Sequence, residues 1–241
     1  VNDIFRDSKG QLWFATINGL CRYTDQDTFE KITLPDKRHN VNKITESADG
    51  RLLVMAYPTL YSYDSETGEI VTAIEDLDPI KTLTLKWYPD GKGNLWITDP
   101  RQLRCYNLRN FHLDTVIDLQ GWQQCVGLVD NCLWISSESK IQAFNIIDKE
   151  FVSLSPTLTR NREFMSADIV YAHGYEDGNI VFCTSSGEMF YYDKRNDTLA
   201  DNNESGFPFD APAFMVNTMF TDSHKNLWIG SNDQGFKTIY H

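Results

Sequence analysis

Asp7-Ser8-Lys9-Gly10-Gln11-Leu12-Trp13-Phe14-Ala15-Thr16 is the stretch whose reading decides the fold. Asp7 to Gly10 has hairpin chemistry: Asp bonds its own backbone, and Gly adopts the positive φ of a tight turn. Leu12 to Thr16 is an aromatic and aliphatic run suited to a pleated strand. The pattern returns as Asp222-Ser223-His224-Lys225-Asn226-Leu227-Trp228-Ile229-Gly230-Ser231. Further copies are Asp90-Gly91-Lys92-Gly93-Asn94-Leu95-Trp96-Ile97-Thr98 and Asp130-Asn131-Cys132-Leu133-Trp134-Ile135-Ser136. Two weaker copies, starting at Asp49-Gly50 and Asp177-Gly178, lack the Trp. Anchor positions at 13, 53, 96, 134, 181 and 228 are separated by 40, 43, 38, 47 and 47 residues. This spacing fits a propeller blade of four strands. A helical repeat of similar length needs apolar residues at i, i+3 and i+4, which these segments lack.

Working outward from each anchor, one strand precedes it and one follows. Val1-Asn2-Asp3-Ile4, Val41-Asn42-Lys43-Ile44 and Val216-Asn217-Thr218-Met219 open three repeats, and Trp122 and Ile169 hold the same offset in two others. Gly19-Leu20-Cys21-Arg22-Tyr23 and Met189-Phe190-Tyr191-Tyr192-Asp193 exemplify the third strand. A fourth, such as Phe29-Glu30-Lys31-Ile32, follows in five repeats. The fold expected is all-β: a β-propeller of about six four-stranded antiparallel blades, the last incomplete. The whole of 1–241 reads as one propeller domain or fragment, with repeats near 1–40, 41–82, 83–121, 122–167, 168–214 and 215–241. A sheet this small cannot bury both faces alone, so neighbours must stack. The missing last strand and the absence of an initial Met suggest a piece cut from a larger propeller.

The chain has 241 residues and a formal net charge of −12. Such acidity disfavours nucleic acid and anionic membrane surfaces as partners. No apolar run is long enough to span a membrane, and no signal peptide is visible. The five cysteines sit mostly in apolar runs and read as buried small hydrophobes. None has zinc-motif spacing, and Cys125 and Cys132 leave a disulfide across a hairpin open.

The pattern Asp-x-x-Gly-x-Leu-Trp-[Ile/Phe]-x-Thr followed by Gly-Leu-x-Arg-Tyr resembles the two-component regulator propeller repeat. Repeat one carries it through Asp7, Gly10, Leu12 to Thr16 and Gly19 to Tyr23. The last carries it through Asp222, Leu227 to Gly230 and Gly235-Phe236. The resemblance implies the periplasmic sensor of a hybrid two-component regulator that detects carbohydrate fragments. It further implies seven-bladed propellers and a parent with a membrane helix and a histidine kinase. On that reading the chain has no catalysis of its own and needs no cofactor. Its partners are an oligosaccharide or other small ligand and the remaining blades of the parent, with a homodimer left open.

No catalytic constellation stands out. The five histidines are scattered, there is no His-x-x-x-His pair, and no nucleophile elbow or phosphate loop is present. Propeller ligands commonly sit at a channel mouth lined by the loops that lead into inner strands and those that follow Trp strands. There the candidates are Arg38, His39, Tyr57, Arg101, Trp122, Arg160, Arg162 and Phe164. Rings stack on sugar faces, while guanidinium groups pair with hydroxyls or carboxylates. A propeller lyase or glycosidase and a protein-binding scaffold are the alternatives.

Overall fold

The computed structural model describes residues 1–24, 27–36, 39–75, 77, 86–121, 123–137, 140–231 and 233–241. Its architecture is a β-propeller of six antiparallel sheets, five with four strands and the last with three. The first sheet comprises β1 (Asp3–Arg6), β2 (Leu12–Thr16), β3 (Gly19–Tyr23) and β4 (Phe29–Ile32). The second comprises β5 (Lys43–Glu46), β6 (Leu52–Ala56), β7 (Thr59–Tyr63) and β8 (Ile70–Ile74). The third comprises β9 (Lys86–Pro89), β10 (Asn94–Thr98), β11 (Gln102–Asn107) and β12 (Leu113–Asp118). The fourth has β13 (Gln124–Val129), β14 (Cys132–Ser137), β15 (Lys140–Asn145) and β16 (Glu150–Val152). The fifth has β17 (Ile169–Tyr175), β18 (Asn179–Thr184), β19 (Met189–Asp193) and β20 (Thr198–Asp201). The sixth has β21 (Thr218–Thr221), β22 (Leu227–Gly230) and β23 (Phe236–Ile239). Every Trp-position anchor falls on the second strand of its sheet.

The chain groups into two compact units, 1–97 with 103–117, and 98–102 with 118–241. In the first, Trp13, Ala15 and Leu20 of sheet one meet Ile44, Leu52, Val54, Tyr61 and Tyr63 of sheet two. The Trp13 and Tyr63 rings meet edge to face at 5.6 Å. Sheet two uses its other face, Leu53, Met55 and Leu60, against Trp87, Leu95 and Ile97 of sheet three. Side chains alternate across a strand, so one four-stranded sheet feeds two cores.

In the second unit, sheets four and five share a core with two one-turn helices. These are α1 (Pro156–Arg160) and α2 (Arg162–Ser166). Ser155 caps the first by accepting from the Leu158 N–H at 3.2 Å, with Pro156 just inside. Asn161 caps the second by accepting from the Phe164 N–H at 2.9 Å. Asp197, in the turn before β20, accepts from Thr157 Oγ1 and Tyr192 Oη, both at 2.9 Å, and so ties α1 down. The helices place Leu158 and Phe164 between diverging sheets, and Phe164 meets Phe182 and Phe190 edge-on. Between sheets five and six, Phe207 and Phe209 fill the gap beside Tyr175 and Tyr191.

The turn chemistry is as expected, with positive φ at Gly10, Gly50, Asp130, Asn131, Asp177, Gly178 and Lys225. All five cysteines are free, so no disulfide joins Cys125 to Cys132. Burial pushes the Cys183 thiol up, as expected of an inert core residue. Trp13, Trp96 and Trp134 are core residues, whereas Trp228 is 36% exposed. Among the described residues no helix is long and apolar enough to cross a membrane.

Candidate functional site

In an up-and-down sheet the turns joining strands one to two and three to four share one end. A cleft of about 510 Å³ opens at that end of the first unit. Its walls are the Asp7 to Gln11 turn, the end of β3 at Arg22 and Tyr23, and Ser65 and Glu66 from sheet two. Pockets of roughly 300–1,000 Å³ are the usual size for small ligands.

The floor is built by Asp7. Its Oδ1 accepts the N–H groups of Lys9 at 3.0 Å and Gln11 at 2.8 Å. Its Oδ2 accepts the indole Nε1–H of Trp13 at 2.8 Å. One buried carboxylate therefore closes the turn and satisfies the buried Trp donor. Gln11 donates through Nε2 to the Tyr23 carbonyl at 2.5 Å, bridging turn and third strand. Above the floor, Lys9 pairs with Glu66 and Arg22 with Glu30, each at 2.5 Å. Ser8 donates through N and Oγ to Glu46 at 2.8 Å, a second link to sheet two. Glu66 raises the Lys9 ammonium above its ordinary value, chiefly through their hydrogen bond. Each cation has an anion beside it, so the cleft is polar without a dominant charge. It offers ammonium, guanidinium and amide donors next to carboxylate acceptors.

The same bracket recurs in the last sheet. Asp222 accepts from His224 N, Asn226 N and Trp228 Nε1 at 2.8–2.9 Å. The bond from Trp228, then that from the Asn226 side chain, holds its carboxyl down at about 2. Sheet two has Ser47 at the equivalent place and Leu53 for the Trp, so acceptor and donor are lost together. Sheet four uses a two-residue Asp130-Asn131 turn, and Trp134 Nε1 has no partner among the described residues.

Residues 1–18, which hold the whole of β1, β2 and the Asp7–Trp13 bracket, match the two-component regulator propeller family. The match covers 18 of the 241 residues. No curated protein sequence matches the chain. Among solved structures, the fold is similar to the extracellular domain of a hybrid two-component system from B. thetaiotaomicron. That comparison gives a TM-score of 0.69 at 19% identity over 99% of this chain and 33% of the other. It is also similar to the extracellular domain of a one-component system from the same organism, with TM-score 0.70, 18% identity and coverages of 99% and 35%. Virginiamycin B lyase from Staphylococcus aureus gives 0.63, 13% identity, and coverages of 99% and 83%. This chain spans about a third of the length of the two extracellular domains. At these identities the likeness establishes the β-propeller fold.

The regulator-propeller reading expected ligand groups at the other end of the sheets. Arg38 and Trp122 lie outside the described residues. His39 is exposed and Tyr57 half-buried in the first unit, where the Tyr57 N–H donates to Asn42 Oδ1 at 3.2 Å. Arg101 is exposed in the second unit, in a turn closed by Asp99, which accepts the Arg101 N–H at 2.8 Å. Arg160 and Arg162 are exposed, on α1 and α2 rather than on an open loop. Phe164 is a correction: at 0% exposure it is a core residue between sheets four and five, with no face for a ligand. The cleft was missed because Lys9 and Glu66 stand 57 positions apart. Among the described residues no group of three or more His, Cys, Asp or Glu is placed to hold a metal.

His173 lies on β17, the first strand of sheet five. Its Nε2 lies 2.9 Å from Thr221 Oγ1, linking β17 to β21, and its ring stacks on Tyr171. Burial pulls it down from 6.5 to about 4. A base depressed in the folded state takes its proton more readily when unfolded. The stability tied to its neutral form is therefore complete above pH 6.5 and lost as pH falls towards 4. The loss at the acid end is on the order of 3 kcal/mol. Urea unfolding at pH 7 and pH 4.5 should show that His173→Gln removes this part of the acid destabilisation. An identical acid loss in the variant would show that His173 titrates normally.

Proposed function

We propose that this chain belongs to the extracytoplasmic, ligand-sensing propeller region of a two-component regulator, that it senses carbohydrate fragments, and that it does no chemistry on them. The observation that carries this reading is the regulator-propeller repeat in residues 1–18, set in a fold that aligns over 99% of its length with extracellular domains of such systems. A periplasmic location accords with the extracellular assignment of those two proteins.

The cleft is the contact we assign to the ligand within this chain. Sugar hydroxyls both donate and accept, so a pocket lined by mixed, neutralising groups suits them better than it suits a strongly charged ligand. Lys9, Gln11 and Arg22 supply donors, and Glu66 supplies an acceptor. Reorganising the exposed Lys9–Glu66 pair to admit a hydroxyl costs little, because surface ion pairs are worth about 0–1 kcal/mol.

A thermal-shift screen against neutral and acidic oligosaccharides tests the proposal. A ligand at about a hundred times its Kd stabilises by about 2.7 kcal/mol. That corresponds to a Tm rise of roughly 5–10 °C for a chain of this size. Arg22→Ala should diminish the shift, and chromatography should recover the glycan unchanged. No shift with any glycan removes the carbohydrate reading, and recovery of cleaved glycan removes the non-enzymatic one.

A further inference from the structure

Two cations line the cleft between sheets one and two, and the protein holds a carboxylate of its own against each. Lys9 meets Glu66 and Arg22 meets Glu30, each at 2.5 Å. Further carboxylates stand around these pairs. Glu46 accepts from Ser8 N and Oγ at 2.8 Å. Asp64 accepts from the Glu66 and Thr67 N–H groups at 2.8 and 3.3 Å, and these bonds hold its carboxyl below the usual carboxylate range. Arg6, on the same turn, donates through Nε to the Gly10 carbonyl at 3.3 Å. With Asp7 in the floor, the acids Asp7, Glu30, Glu46, Asp64 and Glu66 outnumber the bases Arg6, Lys9 and Arg22. Lys9 registers this excess: its hydrogen bond to Glu66 raises the ammonium above its ordinary value, and Asp64 and Asp7 add to the pull.

The fold does not impose this polarity. Lys9 lies in the turn between β1 and β2, and Glu66 in the turn between β7 and β8 of the next sheet. Between sheets four and five the corresponding link has its signs reversed. There Asp130, between β13 and β14, meets Lys194, between β19 and β20, at 2.7 Å. A carboxylate on sheet two is therefore a property of this cleft and not of the repeat.

The consequence for a ligand follows from donor and acceptor chemistry. A hydroxyl both donates and accepts, whereas an ionised carboxylate only accepts. A hydroxyl placed between Lys9 and Glu66 accepts from the ammonium and donates to the carboxylate, so both partners stay satisfied. A uronate must displace Glu66 from Lys9 and then stand beside it, like charge against like. We propose that this cleft selects neutral sugars and rejects acidic ones, and that Glu66 and Glu30 set the selection. The proposal rests on the reading of the cleft as the carbohydrate contact.

Calorimetric titration of the full chain at low ionic strength tests it with matched probes. These are gluco-, galacto- and manno-oligosaccharides and the uronate oligomers of the same sugars and lengths. A hexose oligomer that binds should do so at least about tenfold more tightly than its uronate counterpart, the scale of one like-charge contact. Glu66→Gln and Glu30→Gln should each lower that ratio at least about threefold. Asp177→Asn makes the same charge change in sheet five and should leave the ratio as it is. Circular dichroism checks that all three variants stay folded. A wild-type chain that binds a uronate as tightly as its hexose overturns the proposal. So does a ratio that neither cleft variant lowers, or one that Asp177→Asn lowers as much, since net charge would then do the selecting. In those cases sugar binding itself stands. Absence of binding by every probe instead removes the carbohydrate reading, and the selection falls with it.

Discussion

Gly127→Ala should destabilise the protein by at least about 3 kcal/mol, the scale of overpacking where backbone blocks relief. For a chain of this size the Tm should fall by roughly 6–12 °C. Gly127 lies in β13 beside a register shift, and its backbone φ is ordinary. The constraint is space: a Cβ there would stand 2.1 Å from the Ala172 carbonyl oxygen and 2.9 Å from its carbon. Those atoms belong to β17, the first strand of the next sheet, and have no torsion of their own to turn aside. Gly174→Ala is the control. Its Cβ would meet Val129 Cγ1 at 3.2 Å, a side-chain methyl that can give, and should cost less than about 1 kcal/mol. Equal stability of the two variants in urea denaturation would show that sheets four and five approach less closely than described.

Asp7→Ala should cost about 2–4 kcal/mol, because three donors lose a charged acceptor and one of them, the Trp13 indole N–H, is buried. Asp7→Asn should recover part of this loss: its carbonyl oxygen still accepts two turn bonds, while its NH₂ faces the indole donor. Asp222→Ala breaks the equivalent bracket but should lower the Tm far less, since Trp228 is partly exposed and water can replace the carboxylate. Thermal unfolding of the three variants ranks them. Asp222→Ala matching Asp7→Ala would mean that the turn, and not burial of the indole, sets the energy.

The sheets were legible because each repeat announces itself twice, by a turn tetrad and by an aromatic or aliphatic strand at a fixed offset. Trp13, Trp96 and Trp228 each have Asp six residues upstream, while Leu53 has Ser47 instead, and at Trp13 and Trp228 that Asp accepts the indole N–H. The two helices carried their signals, Ser155 before Pro156 and Asn161 before Glu163, yet each is a single turn, too short for helical periodicity. Phe164 was misread for that reason, as an aromatic beside two arginines in a loop. Exposure at Trp228 had no local signature, since its repeat has the same residues as buried ones. The cleft joins turns of different repeats, and no local pattern encodes such a juxtaposition.

Hydrogen exchange with and without the glycan that gives the largest thermal shift tests most directly the proposal that a sugar binds in the cleft between sheets one and two. Protection should concentrate in 7–13, 22–23 and 65–66. Stabilisation without protection in those segments, or protection confined to other segments, would contradict the account.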